Sequence, residues 1–330
     1  MEEAVTIVAK RRSRMHREST GKRIELTPRD LEIFRLLTRY RYLRSTFIHA
    51  FVGGNKTKLI ERLGHLYHEG GFLDRPGEQW WSANARYQPV VYQITRRAEE
   101  VLRSCTPCQV PTEARQSQVR PHPQFAHALM VCEILASIEL ATRHYPGLRF
   151  IPWPEIIAKA PEATRASENP FQIPVPIGVL PGSSLSCGTT TYVVPDALFG
   201  LEYQTENKRS FRFFAVEADR ASMPIVRNNL RQTSFRKKVL AYRGLAESGI
   251  DKAHFGLPNL LVLTVTTNAS HMKNIMSLIR ELAHEGKSKL FLFKSVSCGE
   301  GFNVASVLTP KLLTTGWERV GYEPFFINQP

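Results

Sequence analysis

Cysteine is scarce in this chain, acid is outnumbered and long apolar runs are missing. Each shortage removes a class of protein. The five cysteines are an odd count without a dense framework, which excludes a disulfide-stapled scaffold. Cys105 and Cys108 form a lone CxxC, while Cys132, Cys187 and Cys298 stand singly. A zinc ribbon needs a second pair. No stretch reaches the ~18 to 20 uninterrupted apolar residues of a membrane helix. The basic N-terminus lacks the following apolar segment of a signal peptide. The expectation is a cytoplasmic protein without a membrane partner.

Positive charge is abundant. The 330 residues carry 44 Lys+Arg against 30 Asp+Glu, a net charge of +14. The first 104 residues hold 20 basic and 12 acidic side chains, and the rest hold 24 and 18. The excess is thus densest at the N-terminal end. Phosphate contacts release counterions, so such a chain is expected to meet nucleic acid, here double-stranded DNA. The length suggests two domains.

Residues 1–25 are polar and strongly basic, without apolar periodicity, and read as a flexible arm. At Thr27-Pro28-Arg29-Asp30 a helix begins: a capping threonine, a proline at the first helical position and an acid at the positive end of the dipole. Its apolar face holds Ile33, Phe34 and Leu37. Further helices are predicted over residues 45–52, 56–69 and 96–103, with Leu59, Ile60, Leu63 and Leu66 of the third one inward. Residues 72–75 and 90–94 read as strands joined by a polar loop. Three helices followed by a two-stranded ribbon is the order of a winged helix-turn-helix, here over residues 26–104. Asn55, Lys58 and Arg62 share one polar face of the third helix. With Lys56, Arg75 and the Arg86 of the Trp80-Trp81 loop they form the expected DNA-binding surface. A winged helix used only for protein contact is the bland alternative.

Residues 105–121 are rich in Pro, Ser, Thr and Gln and read as a linker. The second domain, 122–330, opens with a helix over 124–144 whose stripe is His127, Val131, Ile134 and Ile138. His127 either points into a site or is a satisfied core-edge histidine. Residues 158–191 have no period and read as an irregular insertion. Two apolar runs that end in acid follow, 191–199 and 211–219. Then come a helix over 230–248, a strand at 259–266, a helix at 269–284 and a strand at 290–295. That order is an α/β domain with a mixed sheet flanked by helices.

The acids carry the chemistry. Buried carboxylates are costly unless paired or bound to a cation. Asp196 follows Pro195, and Glu217 and Asp219 lie two apart on one strand, so both face the same side. Metal-assisted hydrolysis of a phosphodiester needs carboxylates that hold Mg²⁺ or Mn²⁺ and a cation near the developing charge. Asp196, Glu217 and Asp219 are the candidate metal ligands.

These residues resemble a known pattern at two scales. Pro195-Asp196 and Glu217-Ala218-Asp219 resemble the two halves of the PD-(D/E)xK nuclease superfamily. The ordered set Leu26-Thr27-Pro28-Arg29-Asp30, Pro195 to Phe199, Val216 to Arg220 and Phe235 to Tyr242 resembles the replication-relaxation family of plasmids and mobile elements. That resemblance implies a winged helix followed by a restriction-endonuclease-like domain, and a role in replication or mobilisation. It also implies partners among replication or mobilisation proteins, and a winged helix on DNA is compatible with a homodimer.

One departure stands out: Asp219 occupies the position of the superfamily lysine. A lysine on the next helix then becomes the candidate. Lys238 borders the buried face set by Phe235, Val239 and Tyr242, whereas Lys237 points nearly opposite. Two functions compete. One is a metal-dependent DNA nuclease or nickase using Asp196, Glu217, Asp219 and Lys238. The other is a non-catalytic DNA-binding accessory factor or regulator with a degenerate nuclease fold.

Overall fold

The computed structural model describes residues 12–81, 84–105, 125–176, 190–206, 208–221, 223–227, 234–296 and 310–330. The chain divides into two compact units, 1–107 and 108–330. The division falls inside the expected linker, most of which lies outside the described residues.

The first unit runs α1 (Pro28–Tyr40), β1 (Leu43–Arg44), α2 (Ser45–Val52), α3 (Lys56–His68), β2 (Leu73–Asp74), β3 (Val91–Ile94) and α4 (Arg96–Cys105). Thr27 and Asp30 form a reciprocal capping box at the start of α1, which satisfies two otherwise orphaned backbone donors. Asn55 caps α3 through the Lys58 amide. The three short strands form an antiparallel sheet in the order β1-β3-β2. β1 escaped the sequence reading because it is two residues long and pairs only with the distant Tyr92 and Val91. Ile33, Phe34, Leu37, Leu59 and Leu63 are buried, as the helical spacing predicted. Ile60 is not: it is 47% exposed, since it lies a quarter-turn from Leu59 on the outer side of α3.

From residue 12 onward the predicted arm makes hydrogen bonds to the end of α3 and the residue after it. The Thr20 amide and hydroxyl and the Ser19 hydroxyl donate to Glu69 at 2.8–2.9 Å. Arg12 pairs with the same carboxylate, and the Glu18 amide donates to His68 Nδ1. Residues 1–11 lie outside the described residues.

The second unit runs α5 (Phe125–Thr142), β4 (Leu148–Pro152), α6 (Trp153–Lys159), α7 (Glu162–Arg165), β5 (Ile173–Pro176), β6 (Thr190–Val193), β7 (Ala197–Gln204) and β8 (Arg209–Asp219). It continues with α8 (Phe235–Ser248), α9 (Ile250–Phe255), β9 (Leu261–Thr266), α10 (Ala269–Leu282), β10 (Ser288–Ser295), α11 (Lys311–Thr314), β11 (Trp317–Val320) and β12 (Tyr322–Phe325). Among the described residues, seven strands form one sheet in the order β12-β11-β10-β9-β8-β7-β4. β8, β9 and β10 are parallel and the other pairs antiparallel. The expected mixed sheet flanked by helices is present, and it gains β4, β11 and β12.

Two predictions change here. The insertion at 158–191 contains α7 and an antiparallel ribbon of β5 and β6; residues 177–189 lie outside the described residues. The apolar run 191–199 is not one strand. It breaks after Val193, and Asp196 stands just before β7 rather than at a strand's end.

α5 is buried nearly all round, not along the single predicted stripe. By length and composition this 18-residue helix, of mean hydropathy 1.5, would pass for a membrane span, yet 72% of it is buried inside the protein. A helix apolar on every side belongs in an interior.

Side-chain parity on β8 places the acids. Phe213 and Ala215 join the core cluster that contains Val239 and Tyr242 of α8 and Ile275 of α10. Glu217 and Asp219 share that parity, so they face α8 and α10.

Candidate functional site

The carboxylates meet where the parallel strands end. The Asp196 amide donates to the Val216 carbonyl at 3.0 Å, and its Oδ2 accepts the Ala218 amide at 2.9 Å. Asp196 is thereby pinned to β8 by the residues on either side of Glu217. Its Oδ1 lies 3.2 Å from His127 Nε2, in the first turn of α5.

Glu217 is 3% exposed. One oxygen accepts from the Lys238 ammonium and the other from the Tyr242 hydroxyl at 2.6 Å. Lys238 and Tyr242 are one turn apart on α8, so a single helix face supplies both donors. Asp219, the last residue of β8, places Oδ2 2.7 Å from His271 Nε2 in the first turn of α10. The contact is close but not aligned as a hydrogen bond, and among the described residues neither atom has a hydrogen-bond partner. The chain leaves β8 through Ala221 at φ +57°, a left-handed conformation that strains a non-glycine residue.

Charge is balanced locally. Burial pushes the Glu217 carboxyl up and the Asp196 charge adds to this, while Lys238 and Tyr242 pull it back. The Lys238 ammonium would lose its proton more readily through burial alone; Glu217, Asp196 and Asp219 outweigh that and raise its pKa. Burial and pairing thus compete at Glu217, whereas the ammonium, facing three carboxylates, is the member whose charge is secure. Burial would also push Asp196 up, but the His127 hydrogen bond, the Lys238 charge and the Ala218 amide hold it low. The Asp196 hydrogen bond raises His127 against the opposing effect of burial. Burial and the Glu217 charge push the Tyr242 hydroxyl far up, so it stays a donor.

The structure therefore brings Asp196, Glu217 and Lys238 together, with Asp219 turned to His271 and acting on Lys238 through its charge, and it is Lys238, not Lys237, that reaches Glu217. Sequence reasoning missed His271 and the role of Tyr242. Register brings His271 there: Asp219 pairs with Thr266 of the parallel β9, and α10 starts just after β9. The carboxyl ends of parallel strands are where α/β sheets place their sites.

Among the described residues, no group of three or more His, Cys, Asp or Glu side chains is arranged to hold one ion. The Lys238 ammonium instead pairs with Glu217 and feels the charges of Asp196 and Asp219. Two features still fit a hard cation: Glu217 is pushed up partly by the neighbouring Asp196 charge, and the buried Asp219 Oδ2 lacks a hydrogen bond. Two carboxylates completed by water suit Mg²⁺ chemistry, so Asp196 with Glu217 or Asp219 would hold it.

The expected DNA surface of the first unit is reduced. Asn55, Lys56, Lys58 and Arg86 are exposed. Arg62 is turned inward: Nε and Nη2 donate to the Asp30 carboxylate at 3.0 and 2.6 Å, and Nη2 also to the Glu25 carbonyl. The reason is Asp30, only 1% exposed. Burial pushes its carboxyl up, and Arg62 and Thr27 bring it below its usual range. Arg75 is likewise engaged. It lies 4.0 Å over the Tyr67 ring and donates to the Tyr92 hydroxyl and the Arg14 carbonyl.

Fold and site define a two-unit protein whose second, α/β unit carries a buried carboxylate–lysine–histidine cluster at the ends of parallel strands. Residues 30–261 match the replication-relaxation family, and the chain belongs to it. Membership associates the chain with replication and mobilisation of plasmids or mobile elements. No curated protein and no solved structure matches the chain.

Proposed function

We propose that the chain is a DNA-binding protein of plasmid replication or mobilisation that cuts or nicks DNA. In this reading the first unit is a winged helix and the second a PD-(D/E)xK-type nuclease centre. The observation that carries it is Asp196 pinned beside Glu217 while Lys238, from the following helix, reaches that carboxylate. A lysine supplied by α8 answers the absence of one at position 219.

In hydrolysis, a water oxygen bonds to phosphorus and the ester oxygen leaves and takes a proton. Glu217, its pKa raised by burial, accepts the water's proton at a carboxylate oxygen. The Lys238 ammonium faces the charge that builds on the phosphoryl oxygens. A bound Mg²⁺ or Mn²⁺ would polarise the phosphate and lower the pKa of the attacking water. His127 holds Asp196 in place, and Lys56, Lys58 and Arg86 contact phosphates.

Purified protein with supercoiled DNA and Mg²⁺ or Mn²⁺ is expected to yield nicked or linear product. Asp196→Ala should abolish this while circular dichroism shows retained fold. Equal cleavage by that variant would refute the assignment.

The second reading, a non-catalytic accessory factor, is favoured by one observation: the Lys238 ammonium pairs with Glu217, a carboxylate that an ion would otherwise use. In that case no metal produces cleavage, but Lys56→Glu with Lys58→Glu still weakens DNA binding and flattens its salt dependence.

A further inference from the structure

The segment between β2 and β3 combines a pinned backbone with bare aromatic rings. Two short turns, Gly77–Trp80 and Ala85–Tyr87, touch each other. The Gln79 amide donates to the Pro76 and Val91 carbonyls at 3.0 and 3.1 Å and accepts the Val91 amide at 2.8 Å. Arg14 donates to the Gln88 carbonyl at 2.6 Å and to the Arg86 carbonyl, and it lies over the Trp80 ring. The loop is thus held from both sides.

On this loop Trp81 is 83% exposed and Tyr87 75%, the largest values among the exposed large apolar side chains of the described residues. Trp153 and Trp317, by contrast, are buried. A single exposed apolar side chain is ordinary. Two rings on one pinned loop, with the exposed Arg86 guanidinium 5.4 Å over the Tyr87 ring, form a platform.

We infer that this loop stacks unpaired nucleobases, so that the DNA bound is a duplex beside a single-stranded segment, as in a bubble or fork. The inference rests on the DNA-binding reading of the first unit and adds strand state to it. Bases inside intact B-DNA stack on one another and offer only their edges in the grooves. An aromatic face is useful only to a base that has left the stack, and it accepts any base because each has a π-face. A neighbouring guanidinium supplies a phosphate contact or a cation–π contact. Gln79, Arg86 and Gln88 are already held by hydrogen bonds, and holding a binding loop in place beforehand lowers the conformational cost of binding; residues 82–83 lie outside the described residues.

The test compares full-length protein on a paired duplex and on the same duplex with a central unpaired bubble, by fluorescence anisotropy at one salt concentration. Wild type is expected to bind the bubble more tightly. Trp81→Ala and Tyr87→Ala should each weaken bubble binding about tenfold and leave duplex binding unchanged. Trp81→Phe should restore most of the loss. A 2-aminopurine in the bubble should be quenched by wild type and not by Trp81→Ala. Equal wild-type affinity for both DNAs overturns the inference, as does unchanged bubble binding in a variant that combines Trp81→Ala with Tyr87→Ala, the outcome expected if these rings serve a protein partner. Failure to bind any DNA overturns the DNA-binding reading itself, whereas duplex binding without bubble preference overturns only the stacking.

Discussion

The Lys238 ammonium on α8 reaches the Glu217 carboxylate on β8 in a salt bridge whose side chains are 27% and 3% exposed. Removing one member of a buried pair costs more than the pair contributes. Lys238→Ala is expected to destabilise the second unit by about 3 kcal/mol, the low end for such pairs, because the lysine is partly wetted. Glu217 would then titrate still higher. A carboxyl whose folded pKa lies above its unfolded one loses stability as pH rises, so the loss should grow from about pH 4.5 upward. Urea unfolding across pH measures it. Adding Glu217→Gln should recover part of the loss, and simple additivity of the two changes would count against the coupling.

His127 and Asp196 give a different pH signature. His127 is raised by Asp196, so its contribution is complete below its ordinary value of 6.5 and fades as pH rises through the folded value. Asp196 is lowered, so its contribution is present above 3.8 and fades as pH falls. The stability difference between wild type and His127→Gln should therefore be largest between these two values. A difference independent of pH would show that the pair is not an ion pair.

Tyr242→Phe removes one hydroxyl from a fully enclosed position and leaves Glu217 Oε1 without its 2.6 Å donor. The expected cost is about 1–3 kcal/mol, with little change in shape. Thermal unfolding of the two proteins tests this, and identical midpoints would contradict it.

On the first unit, two neighbouring basic residues should behave oppositely. Arg62→Ala breaks a pair with a buried acid and should cost about 2–3 kcal/mol of stability. Lys58→Ala, exposed and outside the core, should change stability by less than about 0.5 kcal/mol while weakening any DNA binding. Denaturation and DNA titration of both variants separate the roles.

Gly147 has φ +79°, and an added Cβ would lie 2.4 Å from the Gln204 carbonyl oxygen. Backbone cannot move aside as a side-chain tip can, so Gly147→Ala is expected to cost about 1–3 kcal/mol. A midpoint of urea unfolding equal to wild type would refute the strain.

Much of this was legible where the signal is local. The Thr27 cap, Pro28 and Asp30 announce their helix within four residues, whereas the Asn55 cap of α3 became visible only in the structure. Glu217 and Asp219 share a face simply because they lie two apart on a strand. Lys238 followed from its angle to the buried face of α8. The illegible parts depend on partners far away in sequence. β4 is a five-residue strand defined by pairing with β7. Arg62 sat correctly on an outer helical face, yet no helical wheel reveals that Asp30 waits across the unit. His271 shows the same limit, since only the parallel register of β8 and β9 puts it beside Asp219.

The cluster draws on α5, the β6–β7 break, β8, α8 and α10, which are scattered along the second unit. Their joining requires parallel strand pairing across long loops, whose closure entropy is lost before any contact compensates. Refolding should therefore be slow and leave this centre among the last parts completed. The first unit, built from neighbouring helices and a small ribbon, should regain its shape on a faster clock.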